Sequence, residues 1–274
     1  MRLIHSLLAL SIACCAADGG KLQSDIEFAR PGGVSLTLDA WVPDGKGPFP
    51  TVIVVHGGGW VNGTKQTYVT PLFEPLSQAG FTWFTINYRL APTHLFPAQA
   101  EDTFAAIEWV KQHAAEYKVD PKRIALMGES AGGHIVAYAG ARGRGKTSVA
   151  AVVDFYGPHD LLGRARERGS KDPTLRLVGG TDLDAATEKR LFDASPINFV
   201  HKGMPPFLFI HGTKDASVPY QQSPMMCDKM KAAGVKCEVY TVEDAPHGVG
   251  PWEKNPAWQG YKTKMVDWLR QTLR

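Results

Sequence analysis

Gly128-Glu129-Ser130-Ala131-Gly132 is the stretch whose reading decides the fold. The apolar run Arg123-Ile124-Ala125-Leu126-Met127 leads into it, and a segment of helical character follows. A Gly-x-Ser-x-Gly pentapeptide between a strand and a helix marks a tight turn that lifts a serine hydroxyl clear of the sheet. The turn strains its serine, and backbone approaches too closely for a Cβ two residues to either side, hence the glycines. The first free N–H groups of the new helix point toward any negative charge that develops beside the serine.

Upstream, Thr51-Val52-Ile53-Val54-Val55 reads as a buried parallel strand, and it ends in His56-Gly57-Gly58-Gly59-Trp60. Backbone without side chains can curl close to a carbonyl oxygen and aim N–H donors at it. Gly58 and Gly59 are therefore candidate oxyanion donors, with the N–H of Ala131 as the partner. Downstream, the strand Phe207-Leu208-Phe209-Ile210-His211 leads to Asp215, and the strand Cys237 to Val242 leads to His247. The order Ser130, Asp215, His247, each on a strand-end loop, suits a nucleophile, an orienting acid and a general base.

These residues carry a resemblance. The chain resembles the α/β-hydrolase carboxylesterases, near the hormone-sensitive-lipase-like esterases and the bacterial feruloyl and acetyl xylan esterases. The matching text is His56 to Trp60, Tyr88-Arg89-Leu90-Ala91-Pro92 with Phe96-Pro97-Ala98, the Ser130 turn, His211-Gly212-Thr213 through Asp215 and Val218-Pro219, and His247-Gly248. The resemblance implies Ser130 as nucleophile, Asp215 and His247 as its partners, and Gly58, Gly59 and Ala131 as donors. It also implies a mostly parallel central sheet with helices on both faces. Hormone-sensitive-lipase-like members carry a helical cap ahead of the first strands. Only a short leader precedes Asp25 here, so the expectation is an uncapped, more open cleft.

The rest of the chain agrees with one large domain over residues 25–274. Its 274 residues are 44% hydrophobic, enough for a sizeable core, and a net charge of +3 is too small to argue for nucleic acid. Strands are expected at Leu36 to Val42 (antiparallel), Phe81 to Tyr88 and Val149 to Tyr156, alternating with helices. One helix presents Phe104, Ile107, Val110 and Ala114, another Met226, Met230 and Ala233, and the last Tyr261, Met265 and Trp268. The long irregular stretch from Gly157 to Pro206 is expected above the active site.

Residues 1–17 read as a signal peptide, with a basic start, an apolar stretch from Leu3 to Ala13 and small residues at Ala16-Ala17. The apolar stretch is too short to span a bilayer. Export is expected, with lipidation at Cys14 or Cys15 as the alternative. Cys227 and Cys237 then remain, either as two packed thiols or as one disulfide.

Other polar residues receive structural readings. His134 packs its helix. Asp154 and Asp160 are alternative positions for the acid. Trp60 and Tyr220 either line an aryl or sugar site or pack in the core. The histidines show no metal-ligand spacing, so no metal or cofactor is called for. The expected activity is hydrolysis of short-acyl or aryl carboxylic esters, small or linked to plant polysaccharide, by a serine esterase. Amide hydrolysis on the same fold (a formamidase or an S9-like peptidase) and non-catalytic ligand binding are the alternatives. The sequence sets no oligomeric state.

Overall fold

The computed structural model describes residues 19–274. The expected leader, Cys14 and Cys15 lie outside them. Among the described residues the strands are β1 (Gly20–Ala29), β2 (Leu36–Pro43), β3 (Phe49–Val55), β4 (Thr82–Ile86), β5 (Val119–Glu129), β6 (Ala151–Phe155), β7 (Phe207–Gly212) and β8 (Cys237–Val242). They form one sheet in the order β1-β2-β4-β3-β5-β6-β7-β8. β1 and β2 pair antiparallel, as do β2 and β4, and every later pair is parallel. The helices are α1 (Phe73–Gln78), α2 (Ala98–Gln112), α3 (Ala131–Arg142), α4 (Leu161–Arg168), α5 (Thr174–Leu177), α6 (Ala185–Ala194), α7 (Gln222–Ala232), α8 (Val249–Trp252) and α9 (Gly260–Thr272). This is the α/β-hydrolase fold.

The central strands are apolar on both faces because both faces are covered. Ile53, Val55 and Leu126 pack toward Ile107, Val110, Ile135, Val136, Met226 and Met230 of α2, α3 and α7. Their neighbours Val52, Val54, Ala125 and Met127 pack toward Leu76, Trp252, Tyr261, Met265 and Leu269 of α1, α8 and α9. Consecutive residues of one strand thus feed two separate cores, as the period of two requires. The chain turns to opposite sides after β3, toward β4 and toward β5. The loops after β3 and β5 therefore sit side by side at the switch point, where doubly wound sheets place their sites.

Four details differ from the sequence reading. The sheet begins at Gly20, ahead of the expected boundary at Asp25. β1 is an edge strand with two register shifts and Phe28 as its one buried side chain, so it carries no hydrophobic alternation to read. In α9 the buried third position is Leu269, while Trp268 is half-buried. Ala114 and Ala233 lie just past the ends of α2 and α7, half-buried against the core. Finally, Gly157 to Pro206 is not irregular, since it folds into α4, α5 and α6. The Asp160 side chain caps α4 by accepting from Gly163 N at 2.9 Å, and Asp184 caps α6 by accepting from Thr187 N at 2.7 Å. A disulfide joins Cys227 of α7 to Cys237 of β8.

Candidate active site

Ser130 stands between β5 and α3 at φ +53°, ψ −116°, a conformation that L-residues rarely hold. Hydrogen bonds pin it on both sides, from its N–H to Phe155 O at 2.9 Å and from His134 N to its carbonyl at 3.0 Å. The flanking glycines are sterically required. A Cβ on Gly132 would stand 2.1 Å from Val55 O, and one on Gly128 2.3 Å from Gly132 O.

The three residues expected to act together meet at the carboxyl ends of β5, β7 and β8. His247 Nε2 lies 3.0 Å from Ser130 Oγ, and His247 Nδ1 lies 2.5 Å from Asp215 Oδ2. With Asp215 accepting at Nδ1–H, Nε2 is left to accept the serine proton. The Asp215 side chain is fully buried yet held ionised. Burial pushes its pKa up, but hydrogen bonds from His211 and His247 outweigh this and hold it well below the usual carboxylate range. The N–H groups of Ser217 and Val218 also donate to Oδ1, each at 2.8 Å.

The loop after β3 brings Gly58 and Gly59 beside Ser130, at φ +107° and +60°. Gly58 is enclosed, since a Cβ there would stand 2.2 Å from Asn62 O. Its carbonyl accepts from Val61 N and Asn62 N, which curls the loop. The N–H groups of Gly58, Gly59 and Ala131 have no backbone acceptor among the described residues and remain available to a ligand oxygen. The Tyr88 hydroxyl braces this loop by donating to His56 O at 3.1 Å, and Ala91 N donates to Trp60 O at 2.9 Å. The Tyr88 to Pro92 segment is fixed in turn by Asp102, which accepts from the Arg89 backbone N–H at 2.7 Å and pairs with its guanidinium.

A cleft of about 580 Å³ opens over Ser130 and His247. Trp60 lines it, but the ring is 3% exposed and its Nε1–H is bound to His134 Nδ1 at 3.1 Å. His134 donates from Nε2 to Ala194 O at 2.8 Å, which settles it as a packing residue. Tyr220 is not brought to the cleft; its hydroxyl lies 2.6 Å from Thr241 Oγ1. Asp160 is occupied as a helix cap. Asp154 is buried at the end of β6, where Oδ1 accepts from Gly157 N at 2.8 Å and burial raises its pKa to about 7. Neither approaches His247.

Several site residues were given no role by the sequence reading. Tyr156, at φ +44° after β6, sets its ring edge-on to His247 at 4.7 Å, and its hydroxyl accepts from Val249 N. His211 holds Asp215 from behind, with Nε2 3.3 Å from Oδ2. Glu129, inside the pentapeptide, is buried, and its Oε1 has no partner. Burial raises its pKa to about 7, against the opposing pull of His247, the Gly57 N–H and the Tyr156 phenol. Tyr68 stands 55% exposed on the rim of the cleft at φ +66°.

The sequence pattern of the BD-FAE family matches residues 38–230. The esterase LipQ of Mycobacterium tuberculosis is 32% identical over 237 residues, covering 79% of this chain and 54% of LipQ. The chain spans about half the length of the curated relatives it matches. Among solved structures, a truncated carbohydrate esterase from gut microbiota superposes with a TM-score of 0.81 at 27% identity, covering 94% of this chain and 98% of that one. The propionate-bound thermophilic esterase Est2 of the planctomycete Thermogutta terrifontis gives 0.74 at 26% identity, covering 93% and 95%.

Proposed function

The chain belongs to the BD-FAE family of α/β-hydrolases, and from that premise we propose that it is a serine esterase of short-acyl carboxylic esters, including esters carried on plant polysaccharide. One observation carries the reading: the unbroken relay from Ser130 through His247 to Asp215, beside free backbone donors. Ser130 Oγ attacks the ester carbonyl carbon as His247 Nε2 takes its proton. The N–H groups of Gly58, Gly59 and Ala131 stabilise the oxyanion that forms. Collapse expels the alcohol, protonated by His247, and leaves an acyl-enzyme. Water, deprotonated by His247, then attacks the acyl carbon and releases the acid. Asp215 stays ionised throughout and stabilises the imidazolium.

The cleft of about 580 Å³ must hold both halves of the ester. A long alkyl chain would stay partly in water there and forgo much of the roughly 0.8 kcal/mol available per buried methylene. Propionate bound to the Est2 esterase and the carbohydrate substrates implied by the gut enzyme's name both support this size class. The exposed ring of Tyr68 offers a face for a sugar or aryl group. Residues 1–17 and the Cys227–Cys237 disulfide support action outside the cytoplasm. Kinetics on p-nitrophenyl esters of increasing length, with acetylated xylan and a feruloyl ester beside them, test the proposal. The expectation is that kcat/KM peaks from acetyl to butyryl and falls beyond about eight carbons. A maximum at palmitate would overturn it.

A further inference from the structure

Two arginines of the segment between β6 and β7 line the cleft, and the ester chemistry above uses neither. Arg164 of α4 is 5% exposed. Its Nε donates to Asp172 Oδ2 at 2.8 Å, while its Nη1 is buried without an acceptor. Arginine carries five donors, and a buried donor left unmade is costly, so this guanidinium has donor capacity to spare for an added oxygen. Arg176 of α5 is exposed on the same cleft and makes no ion pair among the described residues.

Asp172 cannot serve both. Its Oδ1 already accepts from Thr174 N at 2.9 Å and Thr174 Oγ1 at 2.6 Å, and Arg168 stands 3.8 Å from Oδ2. Glu129 is the one carboxyl side chain lining the cleft, and burial raises its pKa to about 7, which weakens its negative charge near neutral pH. A second depression shares Pro173 and Arg176 with the cleft and adds Lys171 and Asp172, the latter with its oxygens already engaged by Arg164 and Thr174. This wall is positive and short of acceptors, and two planar guanidinium forks match the paired oxygens of a carboxylate.

We infer that Arg164 and Arg176 form an anion subsite, which makes carboxylate-bearing esters the preferred substrates. The inference rests on the esterase reading for its setting. The carboxylate belongs either to the acyl group, as in a half-ester of a dicarboxylic acid, or to the alcohol, as in a uronate beside an acylated sugar.

Two matched pairs of substrates separate these sources. The first is p-nitrophenyl hemisuccinate against p-nitrophenyl butyrate. The second is an acetylated glucuronoxylo-oligosaccharide against its uronate-free counterpart. The acidic member of one pair is expected to show roughly ten-fold higher kcat/KM at low salt, with the preference shrinking as salt rises. Arg176→Gln and Arg164→Lys are each expected to lower that preference ratio by about ten-fold. Arg176→Gln carries the test alone should the Arg164 variant not fold, because Arg176 is exposed and makes no ion pair among the described residues. Equal or neutral-favouring ratios in both pairs overturn the subsite, as does a ratio that both variants leave unchanged. Failure to hydrolyse any ester would instead defeat the esterase reading. Calorimetric binding of the two oligosaccharides and of succinate against butyramide would then still report on the subsite, with roughly ten-fold tighter binding expected for the acidic ligand, and equal binding would overturn it.

Discussion

At the scale of single residues, Ser130 is held in a conformation that costs about 1–3 kcal/mol, and the hydrogen bonds to Phe155 and from His134 keep it there. Because backbone contacts hold that strain, removing the hydroxyl should leave the fold intact. Ser130→Ala is expected to lose on the order of 10⁴-fold or more in kcat with an unchanged circular-dichroism spectrum. A folded variant with a tenth of the activity would remove Ser130 from the mechanism. Asp215→Asn is expected to lose about 10⁴-fold, through the wrong imidazole tautomer, whereas Asp154→Asn is expected to retain turnover. Glu129 supplies a prediction about pH. Its folded pKa of about 7 lies above the ordinary carboxyl value, so the folded state binds the extra proton. Stability from this group is therefore full below about pH 4.5 and is lost as pH rises to about 7, by roughly 3 kcal/mol. Asp154 contributes in the same direction. Urea unfolding of Glu129→Gln across pH 5 to 8 should show a shallower decline than the parent, and parallel curves would refute the assignment. Ser130, Asp215 and His247 were legible because each sits in a local motif at a strand end. Tyr156 and the free Glu129 oxygen were not, because their roles come from contacts between strands far apart in sequence; His211 stands only four residues before Asp215, but its hold on the carboxylate depends on how the turn after β7 folds.

At the scale of elements, the loop after β3 owes its shape to a neighbour and not to its glycines alone. Glycine permits the positive φ angles at Gly58 and Gly59 but does not select them. The Tyr88 hydroxyl, on the chain leaving β4, ties His56 O and so fixes where the loop's donors point. Tyr88→Phe is expected to lower kcat by about ten-fold with little change in KM, since the donors matter most in the transition state. A rise in KM alone would indicate a role in binding instead. The central parallel strands were readable as apolar, often β-branched, runs because burial on two faces leaves few polar residues in them. β1 escaped notice for the opposite reason: an edge strand with one buried side chain has no pattern to show. The short helices α4 to α6 were hidden by their length, although Asp160 and Asp184 are ordinary helix caps.

At the scale of the whole molecule, the disulfide closes the last α/β unit by tying α7 to β8 across a separation of 10 residues. A loop of that size is worth about 2–3 kcal/mol. Calorimetry with and without reductant should therefore show Tm falling by roughly 4–12 °C under reduction. No change would mean that the thiols are not bonded in solution. The sequence left that choice open, since spacing alone cannot bring two sulfurs within bonding distance.

The segment carrying α4, α5 and α6 leaves the sheet after β6 and returns at β7, its immediate neighbour, where Val152 pairs with Phe207. Because β6 and β7 run parallel, it leaves at the carboxyl edge of the sheet and re-enters at the amino edge, and the sheet itself fixes both ends. The relay of Ser130, Asp215 and His247 is built on the strand-end loops, not on this segment. It is therefore an exchangeable cassette: evolution, or a chimera joined at Gly157 and Pro206, can trade one substrate wall for another while the reacting atoms stay where the sheet has put them.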